Sequence, residues 1–171
     1  MSEKGECSKQ KMAEEKLKTY TLQSADNAIF EVDSLIVEQM QTVQSFVDDI
    51  EGDGTGIIIP LPNVCSQELA KIIEFCREHR RIPDDADRKR FDEQFVKALS
   101  SDELKLLFLA ANYLNMKSFF DFLSQSIANL IENKSVEFVR KFFDIENDFT
   151  PEEEAKLRKA HAWAFEGIDE D

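Results

Sequence analysis

The sequence predicts a mainly helical α+β fold with a small three-stranded sheet near its beginning. Two short segments of alternating apolar and polar residues, 18–22 and 28–32, flank a turn-forming sequence. A third short segment, 57–62, is rich in β-branched residues and contains two prolines. Beyond residue 90 the apolar residues recur every three or four positions, which is the spacing of helices that bury one face.

The first two strands are expected to form a hairpin around the turn sequence Ser24-Ala-Asp-Asn27. Asp33 is predicted to cap a short helix, because its carboxylate can accept hydrogen bonds from the free N–H groups of a first turn. Thr42 is predicted to cap the next helix, and Ser66 the helix after the third strand. Each of these two helices carries one apolar stripe: Val43, Phe46, Val47 and Ile50 in the first, and Leu69, Ile72, Ile73 and Cys76 in the second.

A charged segment then precedes the helical half of the chain. Residues 77–90 hold six basic and four acidic side chains with one proline, and we expect an exposed loop or linker there. Four helices are predicted to follow it. They lie around residues 91–96, from Asp102 onward, over residues 117–131 and from Ser135 onward.

The last predicted helix has the best-defined start. Thr150 is placed to act as N-cap, Pro151 occupies the first helical position, and Glu153 completes a capping box. We expect this helix to run to about Trp163. Polar residues 1–17 are expected to be a disordered leader, and residues 167–171 an acidic tail.

Charge excludes some classes of partner. The 171 residues include 21 Lys and Arg against 35 Asp and Glu, a net charge of −14, which argues against nucleic-acid and anionic-membrane partners. Three scattered cysteines do not form a disulfide framework, and the chain has no apolar run long enough to cross a membrane. We expect a cytoplasmic and nuclear protein with reduced thiols.

A search for chemistry finds no catalytic set. Helical spacing brings together Cys76 and His79, but Cys76 belongs to an apolar stripe and is expected to be a packing residue. The segment from Asp49 resembles the first half of a calcium loop, yet Pro60 occupies the position that needs a bidentate acid. The sequence therefore predicts no catalytic residues, no metal and no cofactor.

Aromatic residues in the helical half exceed what a small core needs. Six phenylalanines fall within 25 residues, and three more aromatic residues follow: Phe119, Phe120, Phe122, Phe138, Phe142 and Phe143, then Phe149, Trp163 and Phe165. Because these residues lie on more than one helix face, some should stay exposed. Excess exposed apolar area of this kind favours a protein-binding surface.

Four strings, in this order along the chain, resemble one family. They are Ile59-Pro-Leu-Pro-Asn-Val64, Leu109-Ala-Ala-Asn-Tyr-Leu-Asn-Met-Lys-Ser118, Asn147-Asp-Phe-Thr-Pro-Glu-Glu-Glu154 and Trp163-Ala-Phe-Glu166. The chain is similar over residues 18–166 to the S-phase-kinase-associated adaptors of cullin–RING (SCF) ubiquitin ligases, and its Trp-Ala-Phe-Glu ending is most similar to plant members.

The resemblance implies a BTB/POZ-like cullin-binding domain over residues 18–131 and a C-terminal helical extension, 132–166, that binds F-box proteins. It implies a non-catalytic adaptor that bridges a cullin scaffold to F-box substrate receptors in ubiquitin-dependent degradation. By motif position, Asn112 and Tyr113 fall on the cullin-facing side. The residues implied for the F-box side are Phe119, Phe120, Ile145, Asn147, Trp163 and Phe165.

The chain also departs from the family pattern. Phe91 stands where the family usually has Trp, the run Lys105-Leu-Leu-Phe108 replaces Phe-Glu-Leu-Ile, and Phe119-Phe-Asp-Phe122 replaces Leu-Leu-Asp-Leu. Several of these changes touch receptor-facing helices, so a narrowed or shifted set of F-box partners is expected. Residues 144–171 hold ten acids and three bases, 3 − 10 = −7, a local acidic rim that would select basic receptor segments.

Two other classes of function stay open at the level of sequence. A BTB-type oligomeriser, or an elongin-like adaptor for a different receptor, would share the sheet and the first helices. The long helical extension after residue 131 favours the F-box interpretation, because an elongin-like chain would end near the end of the BTB fold. An enzyme is the second of these classes, and the absence of a nucleophile–base–acid set argues against it.

Overall fold

The computed structural model of the protein describes residues 18–50 and 56–168. Strands β1 (Thr19–Ser24), β2 (Ile29–Asp33) and β3 (Ile58–Leu61) form one sheet in the order β2-β1-β3. β1 pairs antiparallel with β2 and parallel with β3. The predicted hairpin and three-stranded sheet are confirmed, and Asn27 takes the left-handed backbone conformation that its turn requires, with φ 64°.

Eight α-helices and a terminal 3₁₀ turn make up the rest of the described chain, so the mainly helical α+β fold class is confirmed. The helices are α1 (Ser34–Val37), α2 (Gln41–Asp48), α3 (Ser66–Arg81), α4 (Asp85–Lys97), α5 (Ser101–Tyr113), α6 (Lys117–Ile131), α7 (Val136–Phe142) and α8 (Pro151–Ala160), and the 3₁₀ turn is Ala162–Phe165.

The core lies where one face of the sheet meets helices α1, α3, α5 and α6. Leu22 of β1 and Ile59 of β3 point into it, as the alternation of a half-buried strand requires. The side chains that are almost wholly removed from water come from all these elements: Leu22, Val32, Ile36, Leu69, Ile72, Leu107, Leu114 and Leu123. One continuous core therefore joins the sheet to the central helices.

Two predicted helix caps are wrong. Thr42 lies inside α2, and its hydroxyl donates to the Tyr113 carbonyl at 2.8 Å, so it joins two helices instead of capping one. Ser66 is the first residue of α3, and its N–H and hydroxyl both donate to the carboxylate of Asp26. The cap of α3 is therefore a side chain forty residues earlier in the chain, in the hairpin turn.

The predicted loop over residues 77–90 is also wrong, because most of that segment is helical. α3 continues to Arg81, and α4 begins at Asp85 after only three intervening residues. The carboxylate of Asp84 accepts hydrogen bonds from the N–H groups of Ala86 and Asp87, and so caps α4. The alternating charges of this segment form ion pairs along the helix faces, each between residues three positions apart. They are Arg81–Glu78, Arg88–Asp85 and Arg90–Asp87.

The remaining helix starts are close to their predictions. Asp33, Ser135 and Thr150 cap α1, α7 and α8 as expected, and Thr150 forms the predicted capping box with Glu153. α5 begins at Ser101 instead of Asp102, because Ser100 forms a capping box with Glu103. α8 ends at Ala160, before the predicted end at Trp163, and the chain continues as the 3₁₀ turn.

Some predictions fall outside the described residues. The leader 1–17, most of the glycine-rich segment 51–56 and the last three residues of the acidic tail 167–171 belong to this group. The boundary between the domains 18–131 and 132–166 stays a prediction.

Replacing Asp26 by Asn should destabilise the fold. Hydrogen bonds from the Ser24 and Ser66 hydroxyls lower the pKa of the Asp26 carboxyl from 3.8 to about 2. Because the folded-state pKa is the lower one, this stabilisation is full above pH 3.8 and is lost as the pH falls toward 2. Urea unfolding at pH 7 should show a lower midpoint for Asp26→Asn than for wild type, and the difference should shrink on acidification through that range.

Asp121→Asn provides the control, because Asp121 is exposed on α6. Equal midpoints for Asp26→Asn and Asp121→Asn at pH 7 would show that the turn does not stabilise α3.

Candidate protein-binding surfaces

The nucleophile–histidine pair considered in the sequence, Cys76 and His79, packs against the aromatic residues of the core. Burial raises the pKa of the Cys76 thiol to about 11, which disfavours a reactive thiolate. His79 stacks on Phe75 with ring centroids 4.4 Å apart, and its Nε2 lies within hydrogen-bonding distance of Asp92. Packing explains both residues. Within residues 18–50 and 56–168, no group of three or more metal-ligating side chains comes together.

The predicted cullin-facing residues lie at the C-terminal end of α5. Asn112 is exposed and Tyr113 is half-buried. The Thr42 hydroxyl holds the Tyr113 carbonyl, and the Asn115 amide donates to Gln41 Oε1 at 2.8 Å, so α2 fixes this end of α5 in place. Both predicted residues are accessible on a corner that is rigidly tied to the core.

Two leucines extend this corner along α5, and sequence reasoning missed both. Leu106 and Leu109 have exposed fractions of 45% and 55%, and Phe46 on the neighbouring α2 has 44%. At 100° per residue, Leu109 points between Asn112 and Tyr113 on the outer side of the helix. We call Phe46, Leu106, Leu109, Asn112 and Tyr113 the α5 corner. The sequence does contain a signal for these leucines. α5 already has a complete stripe of core residues, so Leu106 and Leu109 form a second apolar stripe that the core does not need.

The predicted receptor-facing residues divide into three kinds. Trp163 and Ile145 are open, with exposed fractions of 73% and 54%, and Asn147 is exposed as well. Phe120 and Phe165 are half-buried, and Phe120 stacks on Phe108 with centroids 4.6 Å apart.

Phe119 is buried. Its ring packs against Phe75 at 4.5 Å and against Phe95 at 6.2 Å, in the cluster that joins α3, α4 and α6. Because its ring is buried in this cluster, we leave Phe119 out of the exposed surface.

The C-terminal elements expose further apolar side chains beyond those predicted. These are Val136, Phe143, Phe149 and Leu157. Together with Phe120, Ile145, Asn147, Trp163 and Phe165 they form what we call the C-terminal surface. Phe149 and Phe143 belong to the aromatic surplus noted in the sequence. Leu157 gave no such signal, because a single leucine on a charged helix is usual.

Helix α8 is held by polar contacts instead of a core. Neither α8 nor the 3₁₀ turn buries any side chain. The Glu154 carboxylate lies 3.4 Å from Arg140 of α7 and accepts from Arg158 and Asn147, each at 3.3 Å. These contacts lower the pKa of Glu154, with the Arg158 hydrogen bond as the largest cause. The helix is thus placed accurately while its apolar side chains stay in water.

The same two arginines cover two of the aromatic rings. The Arg140 guanidinium lies 5.9 Å from the centre of Phe149, and that of Arg158 lies 4.9 Å from the centre of Phe165. Trp163 has no such cover. Its indole is the most exposed of the large apolar side chains in the described part of the chain.

Acidic groups surround this surface. Between residues 144 and 168 there are seven acids and three bases, 3 − 7 = −4. Asp148 and Glu152 lie on either side of Phe149, Thr150 and Pro151, and Glu146 follows Ile145. An apolar centre with an acidic rim is suited to a partner with basic residues around apolar anchors.

A BTB/POZ-like fold with two exposed apolar surfaces defines a class of protein-binding module. Two models of the Skp1 family match the chain, the family's tetramerisation domain over residues 18–81 and its dimerisation domain over residues 117–164. The chain belongs to the Skp1 family. This confirms the resemblance to the S-phase-kinase-associated adaptors on which the site residues were predicted.

Relatives from plants and a slime mould cover almost the whole chain. SKP1-like protein 12 of Arabidopsis thaliana is 44% identical over 154 positions, which cover 87% of this chain and 98% of that protein. SKP1-like protein 1 of Oryza sativa subsp. japonica is 40% identical, with coverages of 90% and 99%. The SCF ubiquitin ligase complex protein SKP1a of Dictyostelium discoideum is 40% identical, with coverages of 83% and 93%.

None of the helices within residues 18–50 and 56–168 has the length and apolar character that a membrane span requires.

Replacing Glu154 by Gln should loosen α8 without unfolding the core. The neutral amide loses the charge-assisted contact to Arg140 of α7 and the one to Arg158 within α8, which leaves the Arg158–Glu137 pair as an ion pair between α8 and α7, and α8 has no buried side chain to compensate. Amide hydrogen exchange should become several-fold faster over residues 151–160 and stay unchanged in α6.

Glu152→Gln is the matched control. Glu152 is an acid in the first turn of the same helix, two residues before Glu154, and lies outside the network of contacts that Glu154 makes. Equal exchange in the two variants would contradict the role of Glu154.

Proposed function

We propose that this protein is a non-catalytic adaptor subunit of an SCF-type ubiquitin ligase, working in the cytoplasm and the nucleus. Its α5 corner binds a cullin scaffold, and its C-terminal surface binds F-box substrate receptors. Membership of the Skp1 family supports the assignment, together with the relative whose name places it in an SCF ubiquitin ligase complex. The observation that carries it is α8, a well-capped helix that buries no side chain of its own.

The C-terminal surface has the composition of a partner site. Isolated helices of about ten residues are only marginally stable in water, so a helix without core contacts needs further support. Here the support is polar and leaves Ile145, Phe149, Leu157 and Trp163 exposed. Burial of such side chains at about 25 cal/mol per Å² supplies the driving force for a receptor helix to dock on them. Trp163 is the natural anchor, because tryptophan is enriched among residues that dominate binding energy.

The α5 corner supports a different kind of partner contact. Its residues come from two helices that are tied together by the hydrogen bonds from Thr42 to the Tyr113 carbonyl and from Asn115 to the Gln41 side chain, so its shape is set before any partner arrives. Leu106 and Leu109 provide apolar area, while Asn112 and Tyr113 provide polar groups that fix orientation. A preformed corner loses little conformational entropy on binding, which suits a scaffold subunit.

α5 also explains how one small protein can hold two partners. Lys105 reaches Asp144 beyond α7 and Phe108 stacks on Phe120 of α6, while the carbonyl of Tyr113, at the C-terminal end of α5, accepts a hydrogen bond from Thr42 of α2. The inner stripe of Leu104, Leu107, Ala110, Ala111 and Leu114 is buried in the core. One well-packed helix therefore carries contacts toward both proposed surfaces. The adaptor's contribution to ubiquitin transfer is this geometry, with no chemical step of its own.

Self-association is the second candidate for the same apolar surfaces. The matched family models carry the descriptions dimerisation and tetramerisation domain, and exposed apolar faces favour contacts between copies when no partner is present. Light scattering of the purified chain, alone and with an F-box protein, separates the two. A stoichiometric heterodimer that replaces any homo-oligomer supports the adaptor, and an oligomer that excludes the F-box protein supports self-association.

Trp163→Ala should weaken binding to an F-box protein by about 30-fold or more, the effect of removing a hot-spot side chain worth about 2 kcal/mol. Cullin binding should not change. Because Trp163 is 73% exposed, the variant should fold normally, and circular dichroism checks this. Pull-down followed by titration calorimetry measures both affinities.

Ile29→Ala is the control, because Ile29 is an exposed apolar residue, with an exposed fraction of 52%, on the edge strand β2. If Trp163→Ala binds the F-box protein as tightly as Ile29→Ala does, the C-terminal surface is not the receptor site.

The double variant Asn112→Ala with Tyr113→Ala should have the opposite effect, losing cullin and retaining the F-box protein. The hydrogen bond from Thr42 goes to the backbone carbonyl of residue 113, so the substitution removes side chains while leaving the α2–α5 contact in place. Co-purification with a cullin N-terminal fragment measures the loss. Undiminished cullin binding would move the cullin site away from the α5 corner.

A further inference from the structure

An ion pair joins α5 to the segment that follows α7, next to the apolar residues of the C-terminal surface. Lys105 of α5 donates to Asp144 Oδ2 at 2.6 Å. The Lys105 side chain is 21% exposed and the Asp144 side chain is 78% exposed. The cation is therefore mostly covered by the protein, while the acid presents its other oxygen to water.

The position of this pair places it among the proposed receptor contacts. Lys105 precedes Phe108 by one helical turn, and Phe108 stacks on Phe120. Asp144 directly precedes Ile145, whose N–H donates to the Arg140 carbonyl at 2.8 Å. The backbone of Asp144 is left-handed, with φ 54°, and closes the end of α7. Residues on both sides of the pair are thus fixed by backbone geometry.

A partner that covers Ile145 and Phe120 will remove water from Asp144. Lys105 compensates one carboxylate oxygen, and the second oxygen then needs a donor from the partner. Leaving it without one is costly, because a charged group that is taken out of water must be hydrogen-bonded or paired. The nearby Glu146 and Asp148 are acids and cannot supply that donor.

We infer that Asp144, oriented by Lys105, selects receptors that place a lysine or arginine beside the apolar side chains docking on Ile145. The inference rests on the proposed function, because it assigns a chemistry to the partner of the same surface. Asp144 is the selecting residue and Lys105 is a positioning residue.

The test uses an F-box protein that binds the full-length wild-type chain. Each exposed position of its F-box is replaced in turn by Lys and by Gln, and the affinities for wild type, Asp144→Asn and Glu93→Gln are measured by biolayer interferometry. Glu93 lies on α4, away from the C-terminal helices, and serves as the acidic control. At one position we expect Lys to bind wild type and Glu93→Gln at least about tenfold more tightly than Gln does, and Asp144→Asn to abolish that preference.

Further variants separate selection from structural support. Lys105→Met should reduce the preference for Lys, and Lys105→Arg should retain it. The preference should also weaken at high ionic strength, since it is electrostatic.

If Asp144→Asn weakens the Lys and Gln forms equally, Asp144 only supports the fold and the inference is overturned. The inference is likewise overturned, with the proposed function intact, if F-box proteins bind wild type without any preference for Lys. Failure of every F-box protein to bind wild type would overturn the proposed function itself.

Discussion

The buried stripe of α5 is the contact on which the rest of the structure depends. Leu107, Ala111 and Leu114 are almost completely removed from water, and they pack against α3 and α6 beneath the sheet. The small side chains of Ala110 and Ala111 let the neighbouring helices approach closely. Lys105 and the four residues that α5 contributes to the α5 corner all project from this helix. Substitutions in the stripe would therefore disturb both proposed interfaces at once, although none of its residues touches a partner.

The two halves of the molecule are held together by different kinds of interaction. The sheet and helices α1 to α6 share a continuous apolar core, whereas α8 is attached to α7 through the ion pairs Arg140–Glu154 and Arg158–Glu137. Arg140 connects the two systems, because it lies on α7, whose Phe142 is buried in the core. Apolar packing tolerates little change of shape, while exposed ion pairs are individually weak and reform easily. In the proposed function, receptor binding belongs to the half that can adjust, and scaffold binding to the half that cannot.

Local signals in the sequence were sufficient for most of the fold. Apolar periodicity located the first two strands and α6, β-branched residues located the third strand, and a capping box located the start of α8, because these features depend on neighbours in the chain. The caps of α2 and α3 could not be found that way, since Asp26 reaches Ser66 only after the chain has folded. The prediction of a loop over residues 77–90 failed for another reason. The alternating charges that are typical of an exposed loop form ion pairs along helix faces instead. Trp163 was placed through family strings, whereas the buried position of Phe119 depends on rings from three helices.

The exposed C-terminal helix bears on how long the free protein survives in a cell. Elements with no buried side chains open at a lower free energy than the core does, and proteases cut the opened form. An adaptor copy without a receptor would be trimmed first around α8, and the trimmed copy would lose Trp163. Receptor-bound copies would be shielded by their partner. On the proposed function, the amount of intact adaptor would therefore follow the supply of receptors, because a bound receptor would slow the proteolysis of α8. No separate regulatory protein would be needed.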